Sequence, residues 1–291
     1  MILIADSGST KTSWCVDLGG LQTFVITTSG INPVRDDEET IQAVVQEARA
    51  AIEAELAMGR ASSHAHDLTF SHLFFYGSGC IPAFTAPLFH SLSSAFPKAT
   101  IAVESDLLGA ARALCGHHEG IACILGTGSN SCLFDGEHVV QNVSPLGWIL
   151  GDEGSGAVLG KHLVSDLLKG QLPAALRDAF EKRFNLSPSS IIEAVYRRPQ
   201  PNRFLASLVP FLAEHREEQS VRAFLIRQFR SFFVRNVLSY GRTDLAVNFV
   251  GGIAYQFEDE LREAASAEHF VIGQILRNPI EELAIYHRER V

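Results

Sequence analysis

The chain has 291 residues, 46% of them hydrophobic and 20% charged, with a formal net charge of -9. That length suits two domains with substantial cores. An acidic chain without a Lys/Arg run is a poor match for nucleic acid or an anionic membrane surface, so neither is expected as a partner, and an anionic ligand would need local backbone donors. The five cysteines are scattered and lack Cys-x-x-Cys spacing, which argues against a disulfide framework or zinc knuckle and reads as buried thiols in a reducing compartment. Residues 1–6 have no basic leader, and no apolar stretch has membrane-spanning length, so a cytoplasmic location is expected.

In chain order, the first thirty residues predict a meander. Strands Ile2 to Ala5, Thr12 to Leu18 and Leu21 to Thr28 are separated by a polar turn from Asp6 to Lys11 and by Gly19-Gly20. Asp37 to Leu56 has helical periodicity, Leu68 to Tyr76 reads as strand, and Pro82 to Ala95 as helix. A short strand, Thr100 to Val103, precedes a helix from Asp106 to Cys115. The opening pattern then recurs. Gly120 to Leu125 is strand, Gly126 to Asn130 a turn, and Ser131 to Phe134 and His138 to Val143 are strands around Asp135-Gly136. Ser155 to Lys169 predicts a helix, and Pro173 to Tyr240 a helix-rich region. Leu245 to Val250 is a strand, Ile253 to Ala265 a helix, His269 to Ile272 a short strand and Pro279 to Glu289 a last helix. The repetition points to two related α/β domains dividing near Gly116 to Gly120.

Five segments could carry chemistry. In Asp6-Ser7-Gly8-Ser9-Thr10-Lys11-Thr12, glycine lets the backbone approach a phosphate, Ser9, Thr10 and Thr12 offer hydroxyls, Lys11 a charge, and Asp6 a carboxylate for Mg²⁺ through water. A plain polar hairpin is the other reading, and no Walker loop is present. Gly126-Thr127-Gly128-Ser129-Asn130 repeats the same physics. At Gly251-Gly252 a buried strand turns into a helix, where glycines let a flat group such as adenosine lie on the backbone; a steric turn is the alternative. Asp106 stands where a strand passes into a helix and can accept a hydroxyl proton, or serve beside Ser105 as a helix cap. Gly147-Trp148-Ile149-Leu150-Gly151-Asp152-Glu153-Gly154 offers a carboxylate and an aromatic face of the kind that recognises polyols, against the alternative of a glycine-rich connection.

The order of these motifs, Asp6-x-Gly-x-Thr-x-Thr12, Gly126-Thr-Gly-Ser129, Gly147-Trp-x-x-Gly-Asp-Glu-Gly-Ser155 and Gly251-Gly-Ile-Ala254, resembles the BadF/BadG/BcrA/BcrD-type ATPases, and among them the N-acetylglucosamine kinases. The resemblance runs over nearly the whole chain. It implies a two-domain α/β fold of the actin/hexokinase-like ATPase type, built of ribonuclease H-like domains with an interdomain cleft. The domains would be 1–117 and 118–275, the latter with a helical insertion, and 276–291 would pack back on the first. It implies ATP and Mg²⁺ as cofactors and an amino sugar as acceptor. Asp106 matches the family's catalytic Asp, Asn32 a sugar-contacting Asn, and Thr127, Gly128, Ser129, Asn130, Gly147, Trp148 and Asp152 positions near sugar or phosphate. The family also contains ATPase activators of redox enzymes, whose cluster-binding cysteine pattern is missing here, as is the zinc-binding cysteine cluster of the ROK-type sugar kinases. A homodimer is compatible with the chain, and nothing in it demands one.

Overall fold

Two separate hydrophobic cores organise the computed structural model, which describes residues 1–8, 10–19, 22–60 and 69–289. They define one unit of residues 1–116 with 279–291, and a second of residues 117–278.

The first unit holds a five-stranded sheet. β1 (Ile2–Ser7), β2 (Lys11–Asp17) and β3 (Thr23–Ser29) form an antiparallel meander; β4 (His72–Gly77) and β5 (Thr100–Ser105) run parallel to β1, in the order β3-β2-β1-β4-β5. Side chains alternate across β1, so Leu3 and Ala5 share a core with Trp14, Phe75 and helix α1 (Glu38–Glu55). That helix buries Ile41, Val44, Val45, Ala48 and Ile52, the stripe its periodicity predicts, and Asp37 caps it by accepting the Thr40 N–H at 2.9 Å. Helix α2 (Ala86–Ala95) packs beside it. Helix α3 (Asp106–Cys115) packs with the C-terminal helix, Ile280–Arg288. Polar contacts fix that terminal helix. His287 Nε2 lies 2.8 Å from Tyr76 Oη, which also accepts from Arg112 at 2.7 Å. The Phe74 and His287 rings stack at 3.6 Å, and Arg288 donates to the buried Asp17 at 2.8 Å.

The second unit repeats the plan. β6 (Gly120–Leu125), β7 (Ser129–Phe134) and β8 (Val139–Asn142) are antiparallel, β9 (Val247–Val250) and β10 (Ile272–Leu276) run parallel to β6, and the order is β10-β9-β6-β7-β8. Short α4 (Gly147–Leu150) leads to α5 (Gly156–Leu168), capped by Ser155, which accepts the Val158 N–H at 3.3 Å. Between β8 and β9 also lie α6 (Ala174–Phe184), α7 (Pro188–Tyr196), α8 (Pro201–Ala206), α9 (Pro210–Glu214) and α10 (Gln219–Phe232). Helices α11 (Gly252–Gln256) and α12 (Glu258–Ala267) separate β9 from β10. Phe224, Phe229, Phe232, Phe233, Phe249 and Phe257 are fully buried and fill this core. Among the described residues no helix is long and apolar enough to cross a membrane.

The structure departs from the sequence-based elements in instructive places. Strands β1 and β5 run on through Asp6-Ser7 and Glu104-Ser105, past the ends expected at Ala5 and Val103. Parallel pairing with β4, in register to Gly77, holds these polar ends extended. The helix expected over residues 253–265 is two helices broken at Phe257, whose φ of -115° and ψ of 38° leave the helical region. The last strand begins at Ile272, where residues 269–272 were expected to form it. Ser9, Gly20, Leu21 and Leu68 lie outside the described residues, so the expected phosphate contact of Ser9 does too.

Candidate functional site

The polar ends of the parallel strands in the first unit gather its candidate residues. Asp6 is the penultimate residue of β1, and Asp106 follows the last residue of β5, with β4 between them. Ser105 caps α3 by accepting the Leu108 N–H at 3.2 Å, which leaves the Asp106 carboxylate out of the capping bond. Burial pushes Asp6 up to about 7; the Asp106 charge adds to this and Lys11 opposes it. Burial also pushes Asp106 up to about 6, against the pull of the Leu107 N–H and its own N–H. Cys80, just past β4, is driven to about 12 by burial and by the charges of Asp106 and Glu104. Asn32 belongs to the same end of the sheet. A Cβ on Gly79, where φ is +79°, would sit 2.3 Å from Asn32 Oδ1, and that oxygen accepts the Val34 N–H at 3.0 Å.

The first hairpin is a braced structure. Gly8 donates its N–H to the Lys11 carbonyl at 3.0 Å, and Gly30 donates to the Thr10 carbonyl at 3.1 Å. A Cβ on Gly30 would lie 2.3 Å from the Gly8 carbonyl oxygen, so only glycine fits. Thr10 and Lys11 are exposed at the tip. Thr12 corrects the sequence reading. Its side chain is fully buried, 2.7 Å from Ser7 Oγ and donating to the Ser29 carbonyl at 3.0 Å. Its hydroxyl stiffens the hairpin from inside and cannot meet a phosphate.

In the second unit, the turn after β6 docks on the start of α5. Gly156 and Ala157 donate to the carbonyls of Gly126 and Thr127 at 2.8 and 3.0 Å. Gly126, Thr127, Gly156 and Gly252 line a cavity of about 700 Å³ that is also walled by Ala206, Tyr255, Gln256 and Arg277. Nothing approaches a Cβ position on Gly126 or Gly252, so both present bare backbone. The Arg277 guanidinium lies 5.9 Å from the Tyr255 ring centroid. Gly251 is a second correction. Its N–H donates to the Leu276 carbonyl at 2.9 Å, and a Cβ would sit 2.2 Å from the Leu125 carbonyl oxygen at φ +128°. Its lack of a side chain lets β9 end tightly beside its parallel neighbour β6, and it does not line the cavity. Tyr255 and Arg277 were missed by sequence reasoning; only their distance from a glycine pair could have hinted at the first, and nothing local marks the second.

Asp152 is brought against the same turn. It accepts the Ser129 N–H at 3.3 Å, and a Cβ on Gly128 would lie 3.2 Å from its Oδ2. Burial raises Asp152 to about 6, with the Ser129 N–H lowering it, Glu153 raising it and Lys161 lowering it. Its φ of 53° and that of 59° at Leu146 are left-handed values that non-glycine residues rarely adopt. The loop is clamped instead by Asp152 N–H to the Pro145 carbonyl at 2.9 Å and Lys161 Nζ to the Trp148 carbonyl at 2.8 Å. Gly147 is exposed and Trp148 partly buried. Asn130 Oδ1 accepts from Ser131 N–H and Asn142 Nδ2, both at 2.9 Å, so its amide group is already oriented. Thus Gly128, Ser129 and Asp152 meet, while Gly126, Thr127 and Gly252 share a cavity.

Comparison with solved structures decides the family. A Porphyromonas gingivalis protein named as a candidate N-acetylglucosamine kinase is 46% identical, covers 99% of each chain and superposes with a TM-score of 0.91. The chain belongs to the N-acetylglucosamine kinase-like BadF/BadG-type ATPase family. Its fold is the two-domain α/β fold of the actin/hexokinase-like ATPases. A Chromobacterium violaceum protein with the same candidate name shares 19% identity over 98% of each chain at a TM-score of 0.66, which shows common fold. So does the ethanolamine utilization protein EutJ of Carboxydothermus hydrogenoformans, at 15% identity, 98% and 88% coverage and 0.53. No family model and no curated protein matches the chain. Within this N-acetylglucosamine kinase-like chain all five cysteines are buried.

Proposed function

We propose that the chain is an ATP-dependent sugar kinase that transfers the γ-phosphoryl group of ATP to a hydroxyl of an amino sugar, N-acetylglucosamine being the first candidate. The observation that carries this reading is the pair Asp6 and Asp106, two carboxylates held above their ordinary range at the carboxyl ends of parallel strands in one sheet. The likeness to a relative named as a candidate N-acetylglucosamine kinase supports the choice of sugar.

In this reading Asp106 takes the proton of the attacking hydroxyl as the new O–P bond forms and the bond to the leaving ADP oxygen breaks. Burial tunes Asp106 toward the range where a base is both ionised at neutral pH and basic enough to help. Asp6 fits a divalent cation. Its carboxylate is costly to ionise next to Asp106, and a cation removes that cost. Among the described residues no group of three or more His, Cys, Asp or Glu could cage a metal, which suits Mg²⁺ held by one carboxylate, waters and substrate phosphates. When bound, Mg²⁺ would neutralise phosphate charge. The cavity at Gly126, Thr127 and Gly252 suits the nucleoside end of ATP, with bare backbone for a flat base and Tyr255 for stacking. Thr10 and Lys11 at the exposed hairpin tip are the remaining phosphate donors of the first unit. Asp152, Ser129, Asn130, Gly147, Trp148 and Asn32 are assigned to the sugar. The test is a panel of amino sugars with Mg-ATP, following ADP release and sugar phosphate together. Release of both with one hexosamine supports the reading; ADP release that no sugar stimulates would sink it.

A further inference from the structure

Helix α10 does not end as an α-helix. It continues through a π-helical turn, Phe233–Val237, and a 3-10 turn, Leu238–Tyr240. A π turn closes from i to i+5, and such turns are frequent at functional sites. Arg235 lines a groove with Arg227, Arg230, Ser231 and Val234, the face that the α10 periodicity presents.

Three side chains of this segment reach the loops assigned to the sugar. Arg235 forms an ion pair with Glu153, the residue after Asp152. Asn236 Nδ2, anchored on the Phe232 carbonyl at 3.2 Å, reaches Glu153 Oε2 at 3.4 Å. Tyr240 Oη lies 2.7 Å from Ser131 Oγ and accepts the Val143 N–H at 3.2 Å, bracing both strands that lead to the loop. Gly154 completes the contact, since a Cβ there would meet Phe232 Cβ at 3.2 Å.

We infer that residues 233–240 are the positioning element of the loop carrying Trp148 and Asp152, and that Arg235 acts through Glu153 to keep Asp152 aimed. The substrate readout of this inference rests on the kinase reading above. The charge distribution gives the reason. The Glu153 side chain is 14% exposed and the Arg235 side chain 59%, so the acid is largely covered and its counter-charge sits outside. Without Arg235 the Glu153 charge is uncompensated beside Asp152, leaving Lys161 as the other cation that acts on both. Asp152 then becomes harder to ionise, and the loop loses a tether that its left-handed residues need.

The experiment is steady-state kinetics of the full chain and of Arg235→Met with N-acetylglucosamine and Mg-ATP, alongside amide exchange of residues 145–156. We expect the sugar KM to rise about tenfold, with kcat and nucleotide KM nearly unchanged. The acidic limb of kcat/KM for the sugar should move to higher pH. Arg235→Lys should restore part of the loss, and so should adding Glu153→Gln, which removes the orphaned charge. Exchange over 145–156 should quicken. An unchanged sugar KM and pH limb, or a lowered melting temperature alone, overturns the inference. So does unaltered exchange, even if the wild-type chain phosphorylates no sugar. Faster exchange in a chain that phosphorylates no sugar upholds the positioning role and rejects the kinase reading instead.

Discussion

Asp6 and Asp106 set a conflict between stability and chemistry that can be measured. A carboxylate raised in the folded state from 3.8 to about 7 disfavours folding once it ionises. The penalty is absent below the unfolded value, grows as pH rises, and is complete above the folded value. Metal-free protein should therefore lose stability from pH 4 to pH 8, and Asp6→Asn should melt higher than wild type at pH 8 in EDTA but alike at pH 4. The same variant should lose the stabilisation that Mg-ATP gives the wild type; a melting curve that Asp6→Asn leaves unmoved at pH 8 would contradict the assignment. The proposed mechanism needs Asp106 ionised, so phosphorylation should fall as pH drops through about 6. Asp106→Asn should lower kcat by about 10²–10⁴-fold while nucleotide affinity, read by calorimetry, stays near wild type. Near-normal turnover in that variant would remove Asp106 from the mechanism.

At the scale of elements, the hairpins show why glycine and threonine stand where they do. Gly30→Ala would force its Cβ onto the Gly8 carbonyl, so the hairpin carrying Thr10 and Lys11 must shift. We expect a loss of about 1–3 kcal/mol in unfolding free energy, with a raised nucleotide KM; a neutral melt would show that the hairpin yields. Much at this scale was legible in the sequence. The repeated strand-turn-strand order marked both antiparallel meanders, and the Ser105 cap could be anticipated because a strand followed by Ser-Asp before an apolar helix allows it. The polar strand ends were not legible, because Asp6 and Ser7 look like turn residues and the apolar run of β5 stops at Val103, until β4 pairs alongside both. Thr12 and Gly251 look like ligand contacts, yet packing from residues 29 and 125 takes them inside the fold. Arg235 and Arg277 reach their places through a π turn and a strand end far along the chain, and no local pattern announces either.

For the molecule as a whole, the connection order matters more than any contact. The second unit is one uninterrupted run of chain, but the first takes its final helix from beyond it. Ile280, Leu283, Ala284, Tyr286 and His287 of that helix are buried. Ending the chain at Asn278 should strip the first unit of this cover and expose Tyr76 and Arg112. In urea, the shortened chain should show early unfolding of residues 1–116 by hydrogen exchange while 117–278 keep their protection; equal loss in both would refute the independence of the two cores. The same layout dictates an order of events during synthesis. The part that leaves the ribosome first must wait, unfinished, until residue 288 has emerged, while the part made later can close as soon as its own last strand is free. A nascent chain of this topology matures back to front, and its earliest-made segment is the one that chaperones have longest to meet.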